Sequence, residues 1–293
     1  MPSRSLKYLM VAPLITLLSF VVLVPFAASV YMSVTAATLP KVSSHGVFGV
    51  PVEGIQQFQA AVTDPYLSGA VVTTLVFAVS SITVEFVLGT GLALLLNRRI
   101  KGARLFTTAM IIPILAPPVT VGLMWRFLLD SNLGMVNYAL SFIGLPPFAF
   151  LASLNLALPS LILVDAWLAT PFVFMVMLAG LRSLPTEPME AALLDGANAR
   201  QRFLYVTLPL LRPVIGVVVL LRLIDALRVF DVIYTLTGGG PGTATESVAM
   251  YIYRVVFEQM RIGYASALAV GFVVFVGLLS LLFIRSYGKV ETT

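Results

Sequence analysis

The stretch EAALLDGANARQRFLYVTLP, residues 190–209, reads like part of a soluble protein within a chain that is otherwise apolar. It carries Glu190, Asp195, Arg200 and Arg202, although charged residues make up only 11% of the 293-residue sequence and hydrophobic residues 59%. The mean hydropathy is +1.00, whereas an ordinary soluble domain has about 25% charged residues. The composition therefore predicts a polytopic membrane protein in which this segment lies outside the membrane.

Six stretches around this segment are long enough to cross a bilayer, which takes about 20 apolar residues. Because a backbone in lipid must satisfy its own hydrogen bonds, each stretch is predicted to be a helix. The first is much longer than the ~7–15 apolar residues of a signal peptide, so we expect it to be retained. The fold class is an all-α polytopic membrane protein with one transmembrane domain over residues 1–293. The predicted spans are 8–34, 67–96, 105–129, 154–181, 213–236 and 263–284.

Lysine and arginine are distributed unevenly between the connections, which is the signal that sets membrane orientation. One side carries only Lys41, Arg254 and Arg261, with Arg126 at a helix edge. This distribution places the richer side, both termini and the loop 182–212 in the cytoplasm. It also explains the net charge of +5 without a nucleic-acid partner. The richer side carries twelve basic residues: Arg4, Lys7, Arg98, Arg99, Lys101, Arg104, Arg182, Arg200, Arg202, Arg212, Arg285 and Lys289.

Several kinds of site are excluded by the residues that the chain lacks. There is no cysteine, so no disulfide, thiolate metal site or cysteine nucleophile is possible. His45 is the single histidine, which excludes a multi-histidine metal site. No G-x-S-x-G, H-E-x-x-H or G-x-x-x-x-G-K-[ST] motif occurs. We predict no catalytic residue, no metal ligand and no cofactor bound by this chain.

The loop 182–212 has its own helix signals. Thr186 is a predicted N-cap, and Pro188 falls in the first turn, where its missing N–H costs nothing. Gly196 suits the left-handed position that ends a helix. A second helical piece is predicted from Asn198 to about residue 206, after which Leu208-Pro209 turns the chain into the fifth span. From the residues alone, the segment is either an amphipathic helix on the membrane surface or a docking surface.

Glu190, Ala191 and Ala192 are followed after three residues by Gly196 and, nine residues later, by VTLP at 206–209. This spacing resembles the EAA motif of binding-protein-dependent ABC importer permeases, with valine in place of the usual isoleucine. A second resemblance, to the maltose-permease-like carbohydrate branch, rests on further runs and places the chain with the subunit that carries the GGGP segment. Those runs are RVFDVIYTLTGGGP at 228–241, TES at 245–247, YIY at 251–253 and GYASA at 263–267.

The resemblance covers about residues 70–285 and implies a type I importer permease: six transmembrane helices with a short cytoplasmic coupling helix. It implies that ATPase coupling rests on Glu190, Ala191, Ala192, Asp195 and Gly196. The implied partners are a second homologous permease, two cytoplasmic ABC ATPases that bind ATP and Mg, an extracytoplasmic solute-binding protein and the lipid membrane. The implied cargo is a sugar of the oligosaccharide or polyol class, and the implied location is the cytoplasmic (inner) membrane of a bacterium or archaeon.

Charges inside the spans are the other polar feature. The fifth span carries Arg222, Asp225, Arg228 and Asp231 at intervals of three with alternating sign. Each charge facing lipid costs about 2.5–3.5 kcal/mol, so these must face protein or a cavity. On a continuous helix, steps of three wind over half the circumference, so we expect that the four cannot all line one cavity. Pairing between helices and contact with substrate both remain open for them.

Further polar and aromatic residues are candidates for the same pathway. Asp165 and Trp167 have the residue types that hold sugars, since carboxylates accept hydroxyl groups and aromatic rings stack on sugar faces. Tyr234 is a third candidate, and Glu85 is interpreted as a helix–helix contact. Prolines at 113, 117 and 118 interrupt the third span, which predicts either a kinked packing helix or a broken helix of the kind that transporters use for binding and movement.

Three alternatives agree less well with the sequence than a sugar permease does. A phosphorylated polyol such as glycerol phosphate would suit Arg222 and Arg228, but their alternation with aspartates argues against a net anion site. A secondary transporter needs a coupling-ion site and often has internal repeats, and neither is evident in the sequence. An intramembrane enzyme lacks the motifs named above.

Overall fold

The structure, a computed structural model, describes residues 4–98 and 101–288. Arg99 and Lys289 of the charge count lie outside the described residues. Within them the chain is helical, apart from loops and one isolated antiparallel bridge between Thr35 and Val52. The helices are α1 Arg4–Ser33, α2 Leu39–His45, α3 Gln56–Val62, α4 Pro65–Leu96, α5 Ala103–Leu115, α6 Pro118–Leu128, α7 Met135–Ser141, α8 Ala157–Ser183, α9 Glu187–Leu194, α10 Ala199–Arg202, α11 Leu208–Leu227, α12 Asp231–Leu236, α13 Val248–Phe257 and α14 Ile262–Gly288.

The predicted all-α membrane fold is confirmed. In the described part of the chain, five helical segments are long and apolar enough to cross a membrane, and a bent pair of helices makes a sixth. Four of the predicted spans coincide with α1, α4, α8 and α14, whose ends differ from the predicted ends by a few residues. The third span, for which a kinked and a broken helix were both open, and the fifth span, predicted as a continuous helix over 213–236, are interrupted.

The third span is broken rather than merely kinked. It consists of α5 and α6, which meet at an angle of 99°. Between them, Ala116 and Pro117 adopt extended backbone angles. Neither Pro117 nor Pro118 has an N–H, and a residue that precedes proline is pushed away from helical angles. The proline pair therefore ends α5, while Pro118 fits the first turn of α6.

The fifth span begins earlier than predicted, and its expected boundary at Leu208-Pro209 is wrong. Helix runs without interruption over Ala199–Leu227, passing through a π-helical turn at Phe203–Thr207. Pro209 in a regular α-helix would clash with the carbonyl four residues earlier. The wider π turn, in which Leu208 N–H donates to the Phe203 carbonyl, accommodates the proline without a change of direction.

The fifth span also ends earlier than predicted. Helix α11 stops at Leu227, and residues 228–230 separate it from the short helix α12. Phe230 has φ −136° and ψ −56°, outside the helical region. A continuous helix through residue 236 would carry four charges across the bilayer, which lipid does not tolerate. The break gives these charges a different arrangement, described below.

The chain forms two compact units, Met1–Ser68 with Tyr251–Phe275 and Gly69–Met250 with Val276–Thr293. The single transmembrane domain predicted over 1–293 stays a prediction. In the first unit, the Asp64 carboxylate accepts hydrogen bonds from the hydroxyls of Tyr251 and Tyr264. Burial raises the pKa of this carboxyl, but these bonds and those from the backbone N–H groups of Tyr66 and Leu67 outweigh it, so the pKa lies below its usual value.

The core of the second unit lies where α4, α8 and α11 pack together. Its fully buried members include Ala93 on α4, Phe174 and Met177 on α8, and Leu211 on α11. Helices α4 and α8 approach closely at Gly89. A Cβ atom placed there would lie 2.8 Å from the Cβ of Val173 and 2.9 Å from the backbone nitrogen of Phe174. Close approach at small residues is how helices pack in a membrane, where association lacks a hydrophobic drive.

This contact gives the first testable prediction. Gly89→Ala should lower the free energy of unfolding by about 1–3 kcal/mol, because the added methyl group overpacks a backbone contact that cannot move locally. Gly91→Ala is the control: Gly91 lies two residues further along the same helix, and a Cβ atom there would have no neighbour within 4 Å. It should be neutral or stabilising by about 0.5–1 kcal/mol through helix propensity. Apparent melting temperatures of the purified protein in detergent check both; equal shifts would contradict the contact.

Candidate functional site

A buried arginine joins three helices of the second unit. Arg222 on α11 is 7% exposed, and Glu85 on α4 is completely buried. The guanidinium donates from Nε to Oε2 of Glu85 at 2.6 Å and from Nη2 to Oε1 at 2.8 Å. This is the side-by-side geometry in which an arginine and a carboxylate bind each other most strongly. The interpretation of Glu85 as a helix–helix contact agrees with this geometry.

Two aspartates complete the network. Nη2 of Arg222 also donates to Oδ2 of Asp165 on α8, at 3.0 Å, and Nη1 donates to Oδ2 of Asp225, at 3.0 Å. Asp165 is buried, whereas 64% of the Asp225 side chain is exposed. One positive charge is thus held by three carboxylates from α4, α8 and α11. The pairing between helices that the sequence left open is present here for Arg222 and Asp165, whereas Asp225 pairs with Arg222 within α11.

Beside this network lies a cavity of about 820 Å³. Both helix breaks form part of its wall: Ala116 and Pro118 come from the break in the third span, and residues 228–232 come from the break after α11. Asp165 and Phe172 of α8 also line it. Broken helices at membrane depth expose backbone ends and polar groups to a cavity rather than to lipid.

The expectation that the four charges of the fifth span cannot share one cavity is wrong. Arg222, Asp225, Arg228 and Asp231 all line this cavity. The expectation assumed a continuous helix, in which steps of three residues wind around the axis. Because α11 ends at Leu227, the chain changes direction at 228–230, and Arg228 and Asp231 come back to the side that Arg222 and Asp225 occupy.

The aromatic candidates lie outside the lining of this cavity. Trp167 is 39% exposed, and its ring contacts Trp125 edge to face at a centroid distance of 5.8 Å. Tyr234 stacks on Phe230 at 5.4 Å. Phe230 and Phe172 do line the cavity, and sequence reasoning did not select them. A phenylalanine in an apolar span carries no signal that distinguishes a cavity wall from a lipid-facing or buried position.

The segment after α8 has the local structure that its motif predicts. Thr186 precedes α9 at the N-cap position, although its hydroxyl makes no capping bond. Gly196 follows the helix with φ +76°, the left-handed conformation predicted for it. Asn198 and Gln201 form a capping box at the start of α10, with both bonds at 2.9 Å. The second helical piece therefore begins where it was expected, but it continues into α11.

The surface of this segment is open. Glu190, Ala191, Asp195 and Gly196 are exposed, and Ala192 is half-buried. Leu194 is 90% exposed although it is apolar. A small cleft of about 320 Å³ lies alongside, between the 195–197 turn and the π-helical turn. The structure therefore leaves the motif residues accessible to a partner.

Removing members of the Arg222 network should have graded effects. Arg222→Ala leaves three carboxylates together, two of them buried, and should destabilise the second unit by about 3–5 kcal/mol or prevent assembly. Glu85→Ala should cost less, because Asp165 and Asp225 still balance the guanidinium. Arg228→Ala is the control: its side chain is 64% exposed and lies 3.9 Å from Asp225, so its loss should cost under about 1 kcal/mol. Thermal unfolding in detergent measures the series, and a flat series would contradict the network.

The chain is similar in sequence to known transport proteins. A profile of the family described as "Binding-protein-dependent transport system inner membrane component" matches residues 85–291. The trehalose/maltose transport system permease protein MalF of Thermococcus litoralis is 34% identical over 278 residues, 94% of this chain and 90% of that protein. The trehalose transport system permease protein SugA of Mycobacterium tuberculosis is 31% identical over 288 residues, 98% of this chain and 90% of that protein.

Solved structures agree with the sequence comparison. A chain from the crystal structure of a bacterial ABC transporter that imports the acidic polysaccharide alginate superimposes with a TM-score of 0.82 and 25% identity, covering 97% of this chain and 95% of that one. A chain of the MetNI methionine ABC transporter, at 21% identity and a TM-score of 0.53, shares the fold over 75% of this chain and 94% of its own length. By its residues, its broken helices and these matches, the chain belongs to the family of inner membrane components of binding-protein-dependent transport systems.

Proposed function

We propose that this chain is the membrane-spanning permease subunit of an ATP-driven ABC importer that carries a sugar of the oligosaccharide or polyol class. The observation that carries the proposal is the cavity of the second unit, in which carboxylates and phenylalanine rings meet at two helix breaks. Relatives named for trehalose and maltose transport support the substrate class. The sequence contains no G-x-x-x-x-G-K-[ST] motif, and we propose that ATP and Mg are bound by partner subunits.

The cavity has the groups that a polyhydroxylated solute needs. Carboxylate oxygens accept hydrogen bonds from sugar hydroxyls, and the exposed side chains of Asp225 and Asp231 are placed to do so. Asp165 is held by Arg222, so it offers its remaining lone pairs in a fixed orientation. The rings of Phe172 and Phe230 provide apolar surface for the C–H faces of a sugar.

The exposed segment around α9 is proposed to be the coupling helix, with Glu190, Ala191, Ala192, Asp195 and Gly196 against a cytoplasmic ATPase. One contact and one helix would carry movement inward. The Thr207 hydroxyl donates to the sulfur of Met189 at 3.6 Å, which connects α9 to the π-helical turn. From that turn, one continuous helix reaches Arg222.

The proposed assembly contains four kinds of subunit, of which this chain is one. The partners would be a second permease of the same kind, two cytoplasmic ABC ATPases and an extracytoplasmic solute-binding protein, in a bacterial or archaeal inner membrane. The lysine and arginine distribution supports cytoplasmic termini and a cytoplasmic coupling segment. ATP and the loaded binding protein would each shift an equilibrium between inward-open and outward-open states, which requires that each binds the two states differently.

The proposal is tested with the complete complex in proteoliposomes. A thermal-shift screen of sugars on the co-expressed binding protein identifies the ligand, and uptake of that sugar with internal ATP is then measured. Uptake that needs this chain, the binding protein and ATP together supports the proposal. A binding protein stabilised only by amino acids or other solutes without sugar character would reject the substrate class.

Substitutions in the coupling segment should separate ATP hydrolysis from uptake. At Gly196, φ is +76° and a Cβ atom would meet nothing within 4 Å, so a side chain there causes backbone strain rather than a clash. Gly196→Val should therefore abolish uptake, whereas Gly196→Asn, which tolerates the left-handed region, should retain most of it. Uptake and the amount of co-purified ATPase are measured together.

Glu190→Lys should also uncouple transport, because it reverses the charge offered to the partner. Glu187→Lys is the matched control: it lies in the first turn of the same helix and is exposed, but it is outside the motif. Normal uptake with full ATPase retention in Glu190→Lys, or equal losses in both variants, would contradict the assignment of α9 as the coupling helix.

The cavity aspartates should affect uptake more than assembly. Asp225→Asn and Asp231→Asn keep the size of each side chain and remove one charge, and both side chains are largely exposed. We expect sugar uptake to fall about tenfold or more, because hydrogen bonds to charged groups are worth about 1.5–3 kcal/mol. Subunit stoichiometry, determined on the same preparations, should be unchanged. Unchanged uptake in both variants would remove these residues from the pathway.

A further inference from the structure

The cavity of the second unit carries an excess of negative charge. Among its lining residues are three carboxylates, Asp165, Asp225 and Asp231, against two guanidinium groups, Arg222 and Arg228. Glu85 adds a fourth carboxylate directly behind Arg222, in full contact with it and without exposure to solvent. A cavity bounded by low-dielectric walls concentrates such an excess, so the sign of its charge affects any solute that enters.

Arg222 has little capacity left to bind an anionic group. A guanidinium has five N–H donors in a planar fork. Nε and Nη2 are both directed at Glu85, Nη2 also donates to Asp165, and Nη1 donates to Asp225. A phosphate, sulfate or carboxylate normally takes two parallel N–H groups of an arginine. Both edges of this fork are already occupied by carboxylates.

Arg228 is the second cation, and it too is close to a carboxylate. Its Nη2 lies 3.9 Å from Oδ1 of Asp225, and its side chain is 64% exposed, so water weakens the field of the guanidinium. Asp231 follows three residues later, is exposed and has no salt-bridge partner within the described residues. The carboxylates therefore outweigh the cations on the side that a solute would contact.

We infer that this cavity discriminates by charge: it admits uncharged or cationic polyhydroxylated solutes, such as neutral sugars and amino sugars, and disfavours anionic ones. Asp225 and Asp231 are the residues that set this preference. The inference rests on the proposed function and specifies its substrate class. It favours an uncharged sugar over a phosphorylated polyol as the substrate, because a phosphate would need Arg222 and Arg228 free to bind it.

The fold alone does not decide this property. A chain of the alginate importer, whose cargo is an acidic polysaccharide, has the same fold at a TM-score of 0.82. Charge selection must therefore come from individual side chains on the shared scaffold, since function lives in sites rather than in folds.

The absence of cysteine makes the charge of the cavity directly measurable. In the complete complex, Val229→Cys places one thiol in the cavity lining, and Leu168→Cys is a second reporter should the first fail to assemble. Each is treated with cationic trimethylammonium-ethyl and anionic sulfonatoethyl methanethiosulfonate. The thiolate attacks the sulfenyl sulfur, forms a mixed disulfide and releases methanesulfinate. The increase in mass of this chain over time gives the rate of labelling by each reagent. The ratio of the two rates does not depend on the ionisation or the accessibility of the thiol, because both reactions share them.

The reference is the ratio of the two rates, cationic over anionic reagent, measured with the free thiol 2-mercaptoethanol. In the cavity this ratio should be higher than the reference by about tenfold or more. The reason is that a negative charge within several ångströms attracts the cationic reagent and repels the anionic one. Asp225→Asn together with Asp231→Asn should lower the ratio towards the reference. Asp130→Asn is the control, since Asp130 is exposed and outside the cavity lining, and it should leave the ratio unchanged.

Two results for the ratio of labelling rates would overturn the inference: a wild-type ratio equal to or below that of 2-mercaptoethanol, or a ratio that Asp225→Asn together with Asp231→Asn leaves unchanged. So would uptake by the wild-type complex of a sugar phosphate or uronate as fast as the uncharged sugar. The two proposals fail separately. Sugar uptake with a ratio at the reference rejects the charge assignment alone, whereas a high ratio with no sugar-dependent uptake rejects the proposed function and the substrate class with it.

Discussion

A guanidinium buried among helices is the constraint on which the second unit depends. Arg222 cannot face lipid, since a charge in the hydrocarbon core is costly, and it cannot stay buried without partners, since an uncompensated buried ion costs several kcal/mol. Glu85 and Asp165 meet that requirement from α4 and α8. The pairing has directional geometry, so it fixes the rotation and the depth of α11 relative to both neighbours. Apolar contacts alone, which slide at low cost, would not do so.

The same constraint has consequences for the cavity. Carboxylates that hold Arg222 have their orientation set before any solute arrives, and preorganised polar groups lose less entropy on binding. The two helix breaks bring further polar groups to this point. Pro117 and Pro118 end one helix for lack of N–H donors, and residues that follow the end of α11, Arg228 and Asp231, line the same cavity as Asp225. A polar cavity at membrane depth thus arises from interruptions in secondary structure rather than from a loop.

The helix that leads to Arg222 is continuous. The segment Ala199–Leu227 is helical throughout, so a displacement at its start would reach the Arg222 network without a flexible joint. The π-helical turn at Phe203–Thr207 is the place where this helix departs from regular geometry, and it lies where Thr207 contacts Met189 of α9. Such turns are frequent at functional sites. One continuous helix therefore connects the turn that contacts α9 with the Arg222 network beside the cavity.

Much of the molecule follows from local sequence. Apolar length predicted the spans, because a lipid-exposed backbone has only helices available to it. Gly196 predicted its own left-handed conformation, and Asn198 and Gln201 form a capping box from side chains three residues apart; such features depend on neighbours along the chain. Pro117 and Pro118 likewise predicted an interruption of the third span, since a missing N–H acts locally, but left open whether the helix is kinked or broken.

Other features depend on tertiary structure. The end of α11 at Leu227 carries no proline or glycine signal, and it is the step that brings Arg222, Asp225, Arg228 and Asp231 to one cavity. Nothing local identifies Glu85 and Asp165, 137 and 57 residues away from Arg222, as its partners, nor Phe172 and Phe230 as cavity wall. The sequence by itself determined which residues must avoid lipid, because that follows from the cost of placing a charge in hydrocarbon. Only the tertiary structure decided what those residues face, because pairing and enclosure are set by the packing of helices that are distant in the chain.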